Sequence, residues 1–103
     1  MPIFRNYFFI SIFLCFFTTA NVSLAGNVAE GKERAMSCIP CHGKNGISTY
    51  FYYPNLAGQK EAYLIRTMTE YRDGRRKDPI MSAMAQGLSD DDIANLAAYY
   101  SRL

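Results

Sequence analysis

Cys38-Ile39-Pro40-Cys41-His42 brings two thiols and an imidazole together within five residues. Cysteines separated by two residues can add across the two vinyl groups of one porphyrin and form two thioethers. A histidine directly after the second cysteine is then held beneath the ring, where its imidazole can bind the iron from one side. This C-x-x-C-H spacing is the signature of covalent haem c attachment. Two other chemistries fit it less well. A dithiol redox pair belongs in a βαβ context, which this sequence lacks. A structural zinc takes about four ligands, whereas the stretch supplies three.

The second iron ligand has few sources, because the sequence holds one His and five Met. Ligation by two histidines is excluded. Met1 lies in the N-terminal leader, and Met36 stands too close to Cys38 to cross to the far face of the ring. Met68 falls on the apolar stripe of an expected helix, where a thioether packs as core. Met81 and Met84 remain, both after Pro79 in a stretch that can lie across the open haem face. Thioether sulfur favours ferrous iron, so either one would raise the reduction potential. Spacing alone leaves the two open.

The elements that must position these groups are helical. A first helix is expected from about Val28 to Met36, with Asn27 as its cap and Glu30 reaching back as in a capping box. A second covers about Lys60 to Asp73, with Leu64, Met68 and Tyr71 on one face, Ile65 beside them and Gly74 at its end. A third starts at Ser89, where Asp90 and Asp91 favour the positive end of the helix dipole and Asp92 completes a second box. Its buried stripe is Ile93, Leu96, Ala97 and Tyr100, and Arg102 suits its C-terminal end. Residues 43–58 and 75–88 read as irregular. Loops this long are usually functional in so small a domain, and here they would wrap the two haem faces.

Of the 103 residues, the first 25 read as a secretory signal peptide. Arg5 precedes an apolar run from Tyr7 to Phe17, and Ser23-Leu24-Ala25 offers small residues for cleavage. The run is short against the ~20 residues of a membrane span, so membrane association is expected only if this segment is retained. Lipoprotein processing at Cys15 is disfavoured by the bulky Leu14 before it. Residues 26–103 then form one domain of 78 residues with ten Lys and Arg against nine Asp and Glu. A chain of this size needs a staple, and a covalent haem is one. Cys38 and Cys41 are consumed by it, so no disulfide is expected. The single basic run, Arg75-Arg76-Lys77, is short and flanked by Asp73 and Asp78, which argues against nucleic-acid binding. It reads as a solvated loop, with a small docking or propionate-facing rim as the alternative.

From Ala29 to Ser101 the chain resembles a class I cytochrome c. It is similar to one domain of the dihaem cytochromes c and to the cytochrome subunit of flavocytochrome c sulfide dehydrogenases. The matching residues are Gly31 ahead of Cys38 to Gly43, then Tyr53-Pro54-Asn55-Leu56-Ala57-Gly58-Gln59, then Tyr71 to Arg75. Ile80-Met81 to Leu88-Ser89 and the ending Ala97-Ala98-Tyr99-Tyr100 complete them. The resemblance implies an all-α cytochrome c fold of three main helices around one haem, with Met81 rather than Met84 opposite His42. It also implies that the Pro54 carbonyl faces the other nitrogen of His42, and that Gly31 lets the first and last helices cross against Tyr99 or Tyr100. Two departures stand out: the sequence carries one haem motif, and the segment between His42 and Met81 is compact. The expected function is a periplasmic, non-enzymatic carrier of single electrons. Its partners would be a dehydrogenase, a respiratory complex or a terminal oxidase, and it could instead be the haem-bearing subunit of a flavoprotein dehydrogenase.

Overall fold

The computed structural model describes residues 25–103, together with Ile3. The expected cleavable leader therefore falls almost wholly outside the described residues. Among the described residues the elements are helical and no strand occurs. They are α1 (Val28–Arg34), a 3-10 helix (Ala35–Cys38), α2 (Ile39–His42), α3 (Glu61–Asp73), α4 (Met81–Gln86) and α5 (Asp90–Ser101). The all-α cytochrome c fold expected from the sequence is the one found.

The first helix stops short of its expected end. After Arg34 the chain tightens into the 3-10 helix and then into α2, which tolerates Pro40 in its first turn, where no backbone donor is needed. The tighter winding rotates Met36 outward, and it is 68% exposed. The N-terminal box is also half formed. The Asn27 side chain caps Glu30 N–H at 3.1 Å, yet the Glu30 carboxylate turns away to accept from Asn95 Nδ2 at 3.0 Å. Asn95 Oδ1 takes the Asn27 N–H instead, at 2.7 Å. A residue of α5 thus supplies what the local box would have supplied, and the first and last described helices are tied together.

That tie accompanies a close crossing of α1 and α5. At Gly31 a Cβ would overlap the Asn95 carbonyl and stand 2.9 Å from Tyr99 Cβ. The expected small residue at the crossing is therefore confirmed, with Tyr99 as the neighbour. Gly31→Ala would push the helices apart, and overpacking of this kind costs about 1–3 kcal/mol. On the same side lies the core of Ala35, Leu64, Leu96, Ala97, Tyr99 and Tyr100, with Met68, Leu56 and Leu88 packed against it. Ile93 and Leu96 are fully buried, which stabilises by about 1.5–3 kcal/mol for each large aliphatic side chain. Ile65, beside the stripe of α3, is turned outward and is 37% exposed.

The capping signals of the last helix act as read. Ser89 Oγ accepts from Asp92 N–H and the Asp92 carboxylate accepts from Ser89 N–H, both at 3.0 Å. Arg102 donates to the Ala98 carbonyl at 2.8 Å, satisfying one of the orphan carbonyls of the helix end. At the close of α3, Gly74 adopts the left-handed conformation, φ 81°.

The stretch expected to be irregular before Leu88 contains α4, and this corrects the sequence reading. Asp78 Oδ1 accepts from Ile80 N–H and Met81 N–H, both at 2.9 Å, and Ser82 Oγ accepts from Asp78 N–H at 3.0 Å. Pro79 follows the capping aspartate where its missing donor costs nothing. Asp78-Pro79 was the available start signal. Six residues are too few for a periodic pattern to declare the helix.

Candidate haem-binding site

Cys38, Cys41 and His42 arrive on one continuous helical path, since α2 carries the last two and the 3-10 helix ends on the first. Both thiols are free and half-buried. Burial pushes the Cys38 thiol above its ordinary range, opposed by Ser37 and Tyr100. Burial likewise pushes the Tyr100 phenol upward, with Cys38 adding to the shift.

Gly43, at φ 85°, reverses the chain after His42, and a Cβ there would overlap the Ile47 carbonyl. The following loop is then fastened to the motif. Ser48 Oγ donates to the Cys41 carbonyl at 3.0 Å, and Ser48 N–H donates to Asn55 Oδ1 at 2.7 Å. The Gly46 carbonyl accepts from Leu56 and Ala57 at 2.8 and 3.0 Å. These bonds bring Pro54 beneath the imidazole: His42 Nδ1 lies 2.8 Å from the Pro54 carbonyl oxygen. A carbonyl can only accept, so Nδ1 carries the proton and Nε2 holds the lone pair. Neither Ser48 nor Asn55 was marked by the sequence reading as part of the site.

His42 is buried at 6% exposure. Among the described residues its Nε2 makes no hydrogen bond, yet no buried polar side-chain atom is left without a partner. Nδ1 is thus the engaged nitrogen of the ring, and Nε2 is the one left for a ligand contact. The donor set is two thiols one turn apart, an imidazole in the right tautomer and a thioether: Met81 lies near His42. Met81 is half-buried, whereas Met84 is 43% exposed. These residues fit a covalently held haem.

The Cytochrome c family pattern matches residues 28–103. The chain belongs to the cytochrome c family. It is 49% identical over 80 residues to cytochrome c-554(548) of Halomonas halodenitrificans, covering 75% of this chain and 96% of the relative. Cytochrome c4 of Pseudomonas aeruginosa is 38% identical over 96 residues, 93% of this chain and 48% of that one. A thiosulfate dehydrogenase electron acceptor of Thiomonas intermedia is 42% identical over 76 residues, 73% of this chain and 35% of the other. Among solved structures, Acidithiobacillus ferrooxidans cytochrome c4 superimposes with TM-score 0.71 at 28% identity, over 79% of this chain and 53% of that one. The chain thus spans about half the length of its cytochrome c4 relatives and nearly all of cytochrome c-554(548). As a member of this family it carries covalent haem c and transfers electrons without being an enzyme.

The basic run of this cytochrome is largely engaged. Arg75 pairs with Asp73 at 3.4 Å, and the Arg76 guanidinium lies 4.9 Å above the Tyr71 ring, a cation–π contact. By contrast, Lys32 and Lys44 are exposed and, among the described residues, make no ion pair. They flank a cleft of about 160 Å³ lined also by Ala35, Met36, Ile39, Asn45 and Tyr99.

Proposed function

We propose that residues 26–103 are an exported single-electron carrier in which Cys38 and Cys41 hold the haem and His42 and Met81 are its axial ligands. One observation carries this reading. His42 is buried with Nδ1 tied to the Pro54 carbonyl at 2.8 Å, which directs Nε2 to the role an axial imidazole would fill. When bound, haem c supplies a one-electron couple at its iron. The chain's own residues do the rest. The Pro54 carbonyl fixes the ring and raises the basicity of the ligand, and α4 presents the Met81 thioether.

With both axial positions taken by side chains, no place at the metal is left for a substrate, and electron transfer is what remains. The leader read at residues 1–25 supports a periplasmic location. The cleft between Lys32 and Lys44 supports docking of a redox protein whose contact face is acidic at its rim and apolar at its centre, the complement of these lysines around Met36 and Ile39. A dehydrogenase is the favoured donor, because relatives from two organisms are described as electron acceptors of thiosulfate dehydrogenase. The reduced holoprotein, exposed to carbon monoxide at neutral pH, tests the ligation. Slow, incomplete binding is expected, and rapid stoichiometric binding would show an open metal site instead.

A further inference from the structure

Met81 stands on a helix that cannot hold itself in place. Isolated helices shorter than about 12–15 residues are marginal in water, and α4 has six residues, of which only Ala85 is buried. Its entry is fixed by Asp78, as described above. Its exit is fixed by two arginines from two other helices. Arg34 of α1 donates through Nη2 to the Gly87 carbonyl at 3.2 Å. Arg72 of α3 donates through Nη1 to the Leu88 carbonyl at 3.2 Å, and Gln86 Nε2 returns a bond to the Arg72 carbonyl at 2.8 Å.

Each guanidinium also grips the start of α5. Arg72 Nη2 pairs with Asp90 at 2.8 Å, and Arg34 Nε lies 3.5 Å from Asp92, the carboxylate of the capping box. Arg72 is 24% exposed and Arg34 36%, while Asp90 is 90% and Asp92 30% exposed, so water screens the ion pairs and the bonds to the Gly87 and Leu88 carbonyls are what hold the exit of α4. The planar fork matters, because a lysine has no fixed pair of donors to span a carbonyl and a carboxylate together.

We infer that Arg34 and Arg72 are positioning residues for the axial thioether, clamping the exit of α4 against α1, α3 and α5 so that the Met81 sulfur stays on the metal. The inference rests on the reading of Met81 as ligand. Loosening either arginine should raise the population in which the thioether has left.

Carbon monoxide association with the reduced holoprotein measures that population, and the weak methionine-to-ferric-iron band near the red end of the spectrum measures its complement. Arg72→Leu and Arg34→Leu should each speed carbon monoxide binding about tenfold, the size of effect expected for losing one charge-assisted hydrogen bond. The double variant should exceed either alone, and the band should weaken in step with the rise in carbon monoxide binding. Arg102→Leu is the control. It also removes an arginine tied to a helix carbonyl and a carboxylate, but far from α4, so it should lower the melting temperature and leave both signals unchanged. If Arg72→Leu yields no folded holoprotein, Arg72→Lys keeps the charge opposite Asp90 without the fork and should give a rise of about threefold. Carbon monoxide rates within twofold of the parent in the arginine variants would overturn the clamp, the parent band being intact. A parent protein without the band would overturn the ligand reading, and the clamp with it, so the two failures are told apart.

Discussion

The Nδ1 atom of His42 stands 2.8 Å from the carbonyl oxygen of Pro54, twelve residues further along the chain. The bond is made by a loop, not a helix, and two side chains fasten that loop: Ser48 on the Cys41 carbonyl and Asn55 on Ser48 N–H. The basicity of the imidazole is therefore set by how well the loop is held. Asn55→Ala should loosen it, weaken the hydrogen bond and make the ligand a poorer donor to ferric iron. The midpoint potential should then rise by roughly 20–60 mV, where about 59 mV is a tenfold change for one electron. Spectroelectrochemical titration of the two proteins measures the shift, and a fall in potential would contradict the mechanism.

Met81 and Met84 are one turn apart in α4, and their exposures differ. Met81→Ala should abolish the methionine-to-ferric-iron band and lower the potential, whereas Met84→Ala should keep both near the parent values. The opposite result would move the ligand to Met84.

The capping box of α5 gives the fold an acid-sensitive joint. Its bond from Ser89 N–H, ahead of the weaker effect of Arg34, holds the Asp92 carboxyl below its ordinary value of 3.8. A depressed folded pKa means that the stabilisation is present above the unfolded value and is lost as the pH falls through the folded one. Asp92→Asn should therefore reduce stability at neutral pH and flatten its decline below about pH 4. Ser89→Ala should cost about 1 kcal/mol at neutral pH through loss of the cap. Thermal melts of the holoproteins between pH 3 and 7 check both, and an unchanged acid limb in Asp92→Asn would remove Asp92 from the account.

Docking should depend on salt only modestly, because the basic side chains lining the cleft amount to two lysines, Lys32 and Lys44. Raising the ionic strength from low to physiological, where screening acts beyond about 8 Å, should slow electron transfer with a redox protein by less than roughly tenfold. Lys32→Glu with Lys44→Glu should reverse the sign of the salt effect, and Arg75→Gln should leave it nearly unchanged. Loss of the effect on changing Arg75 would return the docking rim to the run from Arg75 to Lys77.

What could be read from the residues was local. Ser89 to Asp92 announce their helix because each capping partner lies within one turn, and the stripes of α3 and α5 repeat often enough to be counted. The C-x-x-C-H stretch carries its chemistry in its own spacing. Pro54 and the preference for Met81 came only through resemblance, since nothing near Pro54 in the chain points to His42. Asn95, Arg34 and Arg72 were illegible for a stronger reason. Their partners are 53 to 68 residues away for Arg34 and Asn95, or across an irregular segment for Arg72, and polar residues on helices ordinarily face water. Helix α4 was missed because it is shorter than the period count that would reveal it, and because Asp78 was weighed as a charge beside the basic run and not as a cap before a proline.

The crossing of α1 and α5 also bears on how fast the chain can close. Asn27 and Asn95, which tie the two helices, are 68 positions apart, and pairings so distant in sequence are the slow ones in folding. While α5 remains undocked, α1 has lost its main neighbour and the Cys38 to His42 stretch lies open. In the folded chain Cys38 is half-buried beside Tyr100. The last helix thus covers the Cys38 side of the site, and how firmly it docks sets how far that side chain is reached from solvent.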